Sequence, residues 1–208
     1  MARKPRTNPR KSASQERSRH TVNTLLDATT RVLVKVGYDR ASTNRIATVA
    51  GVSIGSLYQY FPSKEALVAA VRERHQLEVL RLMRNALSKV AGRPIAAAAR
   101  EFVSVAIEAH RVHPHLHRVL AEQVPRMGRP AETEAINQEV YGLVQSYCEA
   151  HREEIDVTDL ELAVFICFTA VDALTHAAVL QRPDLLADAR AEKFVDEVTN
   201  LVIRYLRK

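Results

Sequence analysis

The sequence has no tryptophan, only two cysteines, six glycines and eight prolines in 208 residues, and aromatic side chains make up 5% of it. So few Gly and Pro exclude an all-β design with its many turns, and the plentiful aliphatic and alanine residues favour an all-α protein. The two cysteines, Cys148 and Cys167, form no Cys-x-x-Cys pair, and reduced thiols packed as small apolar groups are the expected state. The polar, basic N-terminus carries neither a secretory apolar run nor a stop-transfer segment, so a cytoplasmic protein that stays off the membrane is expected. Also missing are a Gly-rich phosphate loop, a nucleophile elbow, a dinucleotide fingerprint and a His-Glu-x-x-His pair. No catalytic residue and no cofactor are therefore assigned, and the chain is not expected to be an enzyme.

What charge there is sits at one end. Residues 1–61 carry eleven Lys and Arg against three Asp and Glu, whereas residues 62–208 carry nineteen against twenty-one. A basic end of this kind fits a polyanion partner. Residues 1–14 hold Arg, Lys, Pro, Asn and Ser with almost nothing to bury, and read as a basic flexible arm that could follow phosphates or enter a minor groove.

The stretch 42–64 reads as two short helices joined by a tight turn. Ser42 or Thr43 can cap the first helix with its hydroxyl. Ile46, Ala47 and Ala50 share one side, and Gly51 supplies the left-handed backbone that ends it. Val52 lies in the turn and Ser53 can cap again. Leu57 and Phe61, four apart, face the core. Ile54, Gly55, Ser56, Tyr58, Gln59 and Tyr60 are left facing outward, which suits a helix laid into the DNA major groove. Gln59 can bond a base edge, Ile54 can meet a thymine methyl, and Tyr58 and Tyr60 can donate to phosphates. Lys64 opens the next helix, where its charge and the free N–H groups favour a phosphate.

Thr43, Ile46-Ala47, Ala50-Gly51-Val52-Ser53, Gly55-Ser56-Leu57-Tyr58, Tyr60-Phe61, Ser63-Lys64-Glu65 and Leu67 together resemble the DNA-binding signature of TetR-family transcriptional regulators. The resemblance covers about residues 17–75. The candidate DNA-contacting set is then Thr43, Asn44, Arg45, Ser53, Ile54, Gly55, Ser56, Tyr58, Gln59, Tyr60 and Lys64. The resemblance implies a homodimer on a palindromic double-stranded operator, most often a repressor released by a small-molecule effector. An activator, or an effector-independent regulator of the same fold, is the alternative. A non-specific nucleic-acid binder driven by the arm is a further rival.

The remaining apolar periodicity places helices at about 15–36, 64–90, 94–111, 115–124, 131–151, 157–181 and 188–206, about nine in all. Gly37 is expected to end the first and Ser63 to cap the one from 64. Asp156 or Thr158 is expected to cap the helix over 157–181, with Glu153, Glu154, Asp156 and Asp159 complementing its dipole. The domain organisation expected is an arm over 1–14, a three-helix DNA-binding domain with its helix-turn-helix over 15–63, and a helical ligand-binding and dimerisation domain over 64–208. Leu162 to Val171 is almost wholly apolar but too short for a membrane span, so a helix buried on all sides is expected, against the core one way and against another subunit the other.

The resemblance further implies an effector pocket between the fourth and eighth helices, for which Phe102, His110, Tyr141, Tyr147, Cys148, Phe165, Phe168 and Asp172 are candidates. It also implies that the last two helices of two subunits form a four-helix bundle, with Ala170, Ala173, Ala177, Phe194, Val198, Leu201 and Tyr205 as interface candidates. Asp172 stands out, because a carboxylate in an apolar helix needs a partner. Half of the eight histidines fall at His110, His113, His115 and His117. A metal-binding protein built on them is a distant alternative. Pro114 interrupts their helix, so they would not share one face, and no metal is assigned.

Overall fold

The computed structural model describes residues 16–124 and 131–207. The basic arm expected over 1–14 and the loop expected from Pro125, Gly128 and Pro130 lie outside the described residues. Nine α-helices and no strand occur among the described residues: α1 (Glu16–Arg40), α2 (Thr43–Ala50), α3 (Ile54–Tyr60), α4 (Lys64–Val90), α5 (Ile95–Arg111), α6 (Pro114–Arg118), α7 (Ala131–Ala150), α8 (Leu160–Gln181) and α9 (Asp188–Leu206). A π-helical turn at Val119–Gln123 continues α6.

The helices form two compact units. The first holds Met1–Gln76 with His115–Glu134, and the second holds Leu77–Pro114 with Ala135–Lys208. The units therefore part within α4, not at its start near residue 64, and α6 from His115 onward belongs to the first unit.

The core of the first unit is built from Leu25, Leu33, Ile46, Leu57, Phe61, Leu67 and Val71, all 2% exposed or less. Leu116, Val119 and Leu120 of the returning segment join it. α1 breaks where its glycine lies: Gly37 has φ 77 and ψ 173, outside the helical region, and one more turn follows to Arg40. The conformation also serves a contact. The N–H of Tyr38 donates to Oε1 of Gln123 at 3.1 Å. A Cβ on Gly37 would lie 2.6 Å from that same oxygen.

The second unit packs α5, α7, α8, α9 and the far half of α4 around Val90, Ile95, Ala99, Cys148, Val164 and Val202, with Leu80, Met83, Val105 and Val140 nearby. Two details differ from the sequence expectation, and a third extends it. α8 starts at Leu160 and its cap is Asp159, whose carboxylate accepts from the Leu162 N–H at 3.0 Å. Glu154 complements a different helix: it accepts from Ile95 N–H at 3.1 Å, at the opening of α5, and pairs with Arg207. Ile95 follows a proline and has no hydroxyl cap, so a carboxylate brought in by the fold supplies the missing acceptor. Finally, α8 is long and apolar enough to cross a membrane by length and composition, but the chain buries one side of it only. Ala163, Val164, Thr175, Ala178 and Leu180 are buried, while Leu162, Phe165, Ile166 and Leu174 are exposed. Among the described residues, no element covers them.

Gly37→Ala places an L side chain in a region open almost only to glycine and drives Gln123 aside. The expected loss is about 1–3 kcal/mol of stability, read as a lower unfolding midpoint in urea. An unchanged midpoint would mean the backbone relaxes at no cost.

Candidate functional site

The first site is the outward surface of α2 and α3. Ser42 caps α2 by accepting from Arg45 N–H at 3.3 Å. Gly51 is left-handed at φ 69, and Val52 N–H then reaches the Ala47 carbonyl at 3.1 Å, which closes the end of α2. Ser53 caps α3, accepting from Ser56 N–H at 3.1 Å. Two caps and one glycine therefore fix the turn, and Leu57 and Phe61 seat α3 on the core.

This seating leaves Ser53, Ile54, Gly55, Tyr58 and Gln59 exposed, with Asn44 and Arg45 of α2 exposed beside them. Ile54 is 37% and Tyr58 40% exposed. Thr43 and Ser56 are half-buried. The hydroxyls of Thr43 and Tyr58 lie 3.1 Å apart and tie the two helices together.

Two members of the predicted set are placed differently. Tyr60 was expected to face outward; it packs half-buried against the core, and its hydroxyl lies 3.5 Å from Ser18 Oγ. Lys64 is turned inward as well. Its Nζ donates to the Tyr38 carbonyl at 3.1 Å and sits 4.0 Å over the Tyr38 ring. Burial, and then the nearby Glu65 carboxylate, push the Tyr38 phenol above its ordinary range. It stays a neutral donor, 3.5 Å from Glu65. Sequence spacing alone missed Gln123 as a support of this surface, because it acts from a distant segment.

The second site is an apolar cavity of about 120 Å³ within the second unit. Of the candidates, Phe102, His110, Cys148, Phe168 and Asp172 line it. Three do not. Tyr147 directs its hydroxyl to the carbonyls of Val90 at 3.0 Å and Arg93 at 2.6 Å, satisfying the end of α4. Tyr141 donates to the Glu161 carbonyl at 3.0 Å, and Phe165 is 56% exposed. Met83, Val105, Cys167 and Val171 line the cavity and were not foreseen. Their signal was only that of core residues, which a cavity wall shares.

Both cysteines thus border the same cavity. Burial pushes each thiol up to about 11, and Cys148 adds to the effect at Cys167. The four clustered histidines divide between the units: His110 and His113 belong to the second, His115 and His117 to the first. His113 and His115 are exposed. His110 is buried, with Nδ1 2.6 Å from the Ala106 carbonyl and Nε2 3.7 Å from Asp172 Oδ1.

Of the interface candidates, Leu201 is 50% and Tyr205 41% exposed. Ala173 is exposed too, and Ala170, Ala177 and Phe194 are half-buried. Val198 corrects the reading: it is buried in the chain's own core with Val103, Ile107 and Ala178, because its side of α9 faces α5 rather than solvent.

Residues 25–71 match the family model described as bacterial regulatory proteins, tetR family, and residues 94–206 match that of the tetracyclin repressor-like C-terminal domain. The chain is 31% identical over 166 residues to the HTH-type transcriptional activator FasR of Mycolicibacterium smegmatis, covering 76% of this chain and 73% of that protein. It is 38% identical over 84 residues to the nucleoid occlusion factor SlmA of Haemophilus ducreyi. That match spans 40% of this chain and 41% of the relative's length. A structure of the regulator FadR from Bacillus subtilis in complex with stearoyl-CoA superposes with a TM-score of 0.71 at 18% identity, over 89% of this chain and 99% of that one. A Rhodococcus protein of unknown function reaches 0.74 at 18%, over 90% and 96%. At such identity the two structures share a fold with this chain.

With pKa values near 11, both thiols remain protonated at neutral pH. Alkylation by iodoacetamide at pH 8 is expected to run roughly a hundredfold slower than for free cysteine. Mass spectrometry over time measures this, and rapid labelling of the folded chain would contradict it.

Proposed function

This chain belongs to the TetR family of bacterial transcriptional regulators, and from that premise we propose that it is a cytoplasmic homodimer that binds a palindromic operator as a repressor and leaves it when a small-molecule effector binds. The observation that carries the DNA half is the outward face of α3, where Ile54, Tyr58 and Gln59 stay exposed although the same helix buries Leu57. Two such helices in successive major grooves call for half-sites roughly 34–36 Å apart or a multiple. In this reading residues 1–14 are an arm along the DNA, 15–63 read the operator, and 64–208 take the effector and the second copy.

Asn44, Arg45, Ser53, Ile54, Gly55, Gln59 and Tyr58 are the contacts proposed, with Thr43 and Ser56 at the edge. Gln59 reads a base, and the others fix register on the backbone or pack against bases. Tyr60 and Lys64 support the surface from behind. The effector site is the apolar cavity of the second unit. α4 is one continuous helix from Lys64 to Val90 and supplies the covalent route from that cavity to α3. An effector that prefers the released state by about 1–3 kcal/mol suffices for this control. The bare apolar side chains of α8 and α9, Phe165, Ile166, Leu201 and Tyr205 among them, suit a second copy of the chain.

A second reading keeps the fold and reverses the sign. The relative from Mycolicibacterium smegmatis is named an activator, and an operator upstream of the promoter rather than across it would favour that reading here. A promoter-reporter strain with and without the gene separates the two.

Selection of duplexes from a random pool at near-physiological salt is expected to return a palindrome. Binding without any preferred sequence, lost as salt rises, would defeat the proposal. On the selected site, Gln59→Ala should relax preference at one position of each half-site, at a cost of about 1–3 kcal/mol for the preferred base. Tyr58→Phe should weaken all sequences alike. For the interface, Phe165→Glu or Leu201→Glu is expected to convert dimer to monomer in analytical ultracentrifugation and to remove about 2 kcal/mol or more of association energy. A dimer untouched by both changes would place the interface elsewhere.

A further inference from the structure

The cavity of the second unit is small and offers a ligand almost nothing polar. Its volume is about 120 Å³. For scale, a dry cavity of about 150 Å³ walled by Leu, Ile and Phe side chains takes up benzene. Here Val, Ala and other apolar side chains of α4, α5, α7, α8 and α9 make most of the wall, and nearly all of the surface turned to the space is apolar. Water gains little in such a place, since a buried water needs about two to four polar partners.

The few polar groups that line the cavity are engaged elsewhere. Burial pushes the Cys148 and Cys167 thiols up to about 11, so both are neutral at pH 7. His110 is partnered within the protein: Nδ1 is 2.6 Å from the Ala106 carbonyl, Nε2 is 3.7 Å from Asp172 Oδ1, and the ring meets that of His176 edge-on with centroids 5.7 Å apart. Asp172 has a side chain that is 66% exposed, so its carboxylate keeps much of its hydration.

Neither Lys nor Arg lines the cavity. A carboxylate or phosphate that entered would lose its water with no cation to replace it. An ammonium would lose its water too, and the carboxylate open to it stays hydrated, where an ion pair contributes little. Met83, the two cysteines and the rings of Phe102 and Phe168 also border the space. Sulfur atoms and phenyl groups both make favourable contacts with an aromatic ring.

Resting on the effector reading above, we infer that this cavity takes a small, uncharged, apolar molecule about the size of one benzene ring, and that it rejects a ligand carrying a charged group on that ring. Burial of apolar surface drives the binding, and the uncompensated loss of hydration excludes ions.

Isothermal titration of the full-length protein at pH 7 with toluene, benzoate and benzylammonium tests this, since the three share a ring and one substituent carbon and differ in charge. Toluene is expected to bind at least about tenfold tighter than either ion. Biphenyl, two such rings, is expected not to bind. Val105→Phe and Val144→Phe fill part of the space from two different helices, and toluene affinity should fall at least about tenfold in each variant that still melts cooperatively. If neither variant folds, the comparison of toluene with the ions on the unaltered chain still decides. Either ion binding within tenfold of toluene, biphenyl binding as tightly as toluene, a folded variant that keeps full toluene affinity, or no toluene binding would each overturn the inference. The same samples titrated with operator DNA test the effector reading separately. Toluene that binds and leaves operator affinity unchanged would sink that reading and spare the ligand class. A charged molecule that releases the operator while toluene does not bind would do the reverse.

Discussion

A seven-residue helix has almost no stability of its own, since its first hydrogen bonds barely offset the backbone entropy that they cost. α3 is such a helix, and everything proposed for DNA reading depends on what holds it. Leu57 and Phe61 anchor it in a core shared with α1, α2 and α4. Ser53 supplies its cap, and the Thr43–Tyr58 hydroxyl contact ties it to α2. The backbone that carries its outward side chains is consequently held in one direction without those side chains being packed. That combination suits a surface that must meet a fixed array of base edges, because little ordering entropy remains to be lost on contact.

The support extends further along the chain than a helix-turn-helix requires. The π-helical turn at Val119–Gln123 places Gln123 under the broken end of α1, where its amide oxygen holds the Tyr38 N–H. Arg72 of α4 donates to the Leu120 carbonyl at 3.1 Å. A segment far along the chain is thus built into the first unit, with its apolar residues Leu116, Val119 and Leu120 in the same core. Rare π-helical turns recur where a helix must present a group out of register, and here that group is Gln123.

The second unit solves a different problem. α8 is apolar around most of its circumference, and the described residues cover one side of it. Its inner side helps to enclose a cavity, and its outer side leaves Phe165 and Ile166 in the open. Asp172 interrupts this helix at the wall of the cavity.

The helix-turn-helix was legible residue by residue, because caps, a left-handed glycine and i, i+4 apolar pairs are local features: Ser42, Gly51, Ser53, Leu57 and Phe61 all stand where their spacing predicts. The helical class and most helix limits were legible for the same reason, including Asp188–Leu206. Other assignments needed partners far away in sequence. Tyr60 and Lys64 turn inward because Ser18 and Tyr38 come within reach of them. Val198 is core because α5 lies on its side of α9. Glu154 serves α5 rather than α8 because the chain brings it to Ile95. The wall of the cavity was the least legible part, since an apolar side chain facing a void and one facing a neighbour leave the same trace in a sequence. Helical periodicity tells which face of a helix turns inward, but what that face meets depends on contacts between distant segments, and only tertiary packing sets those.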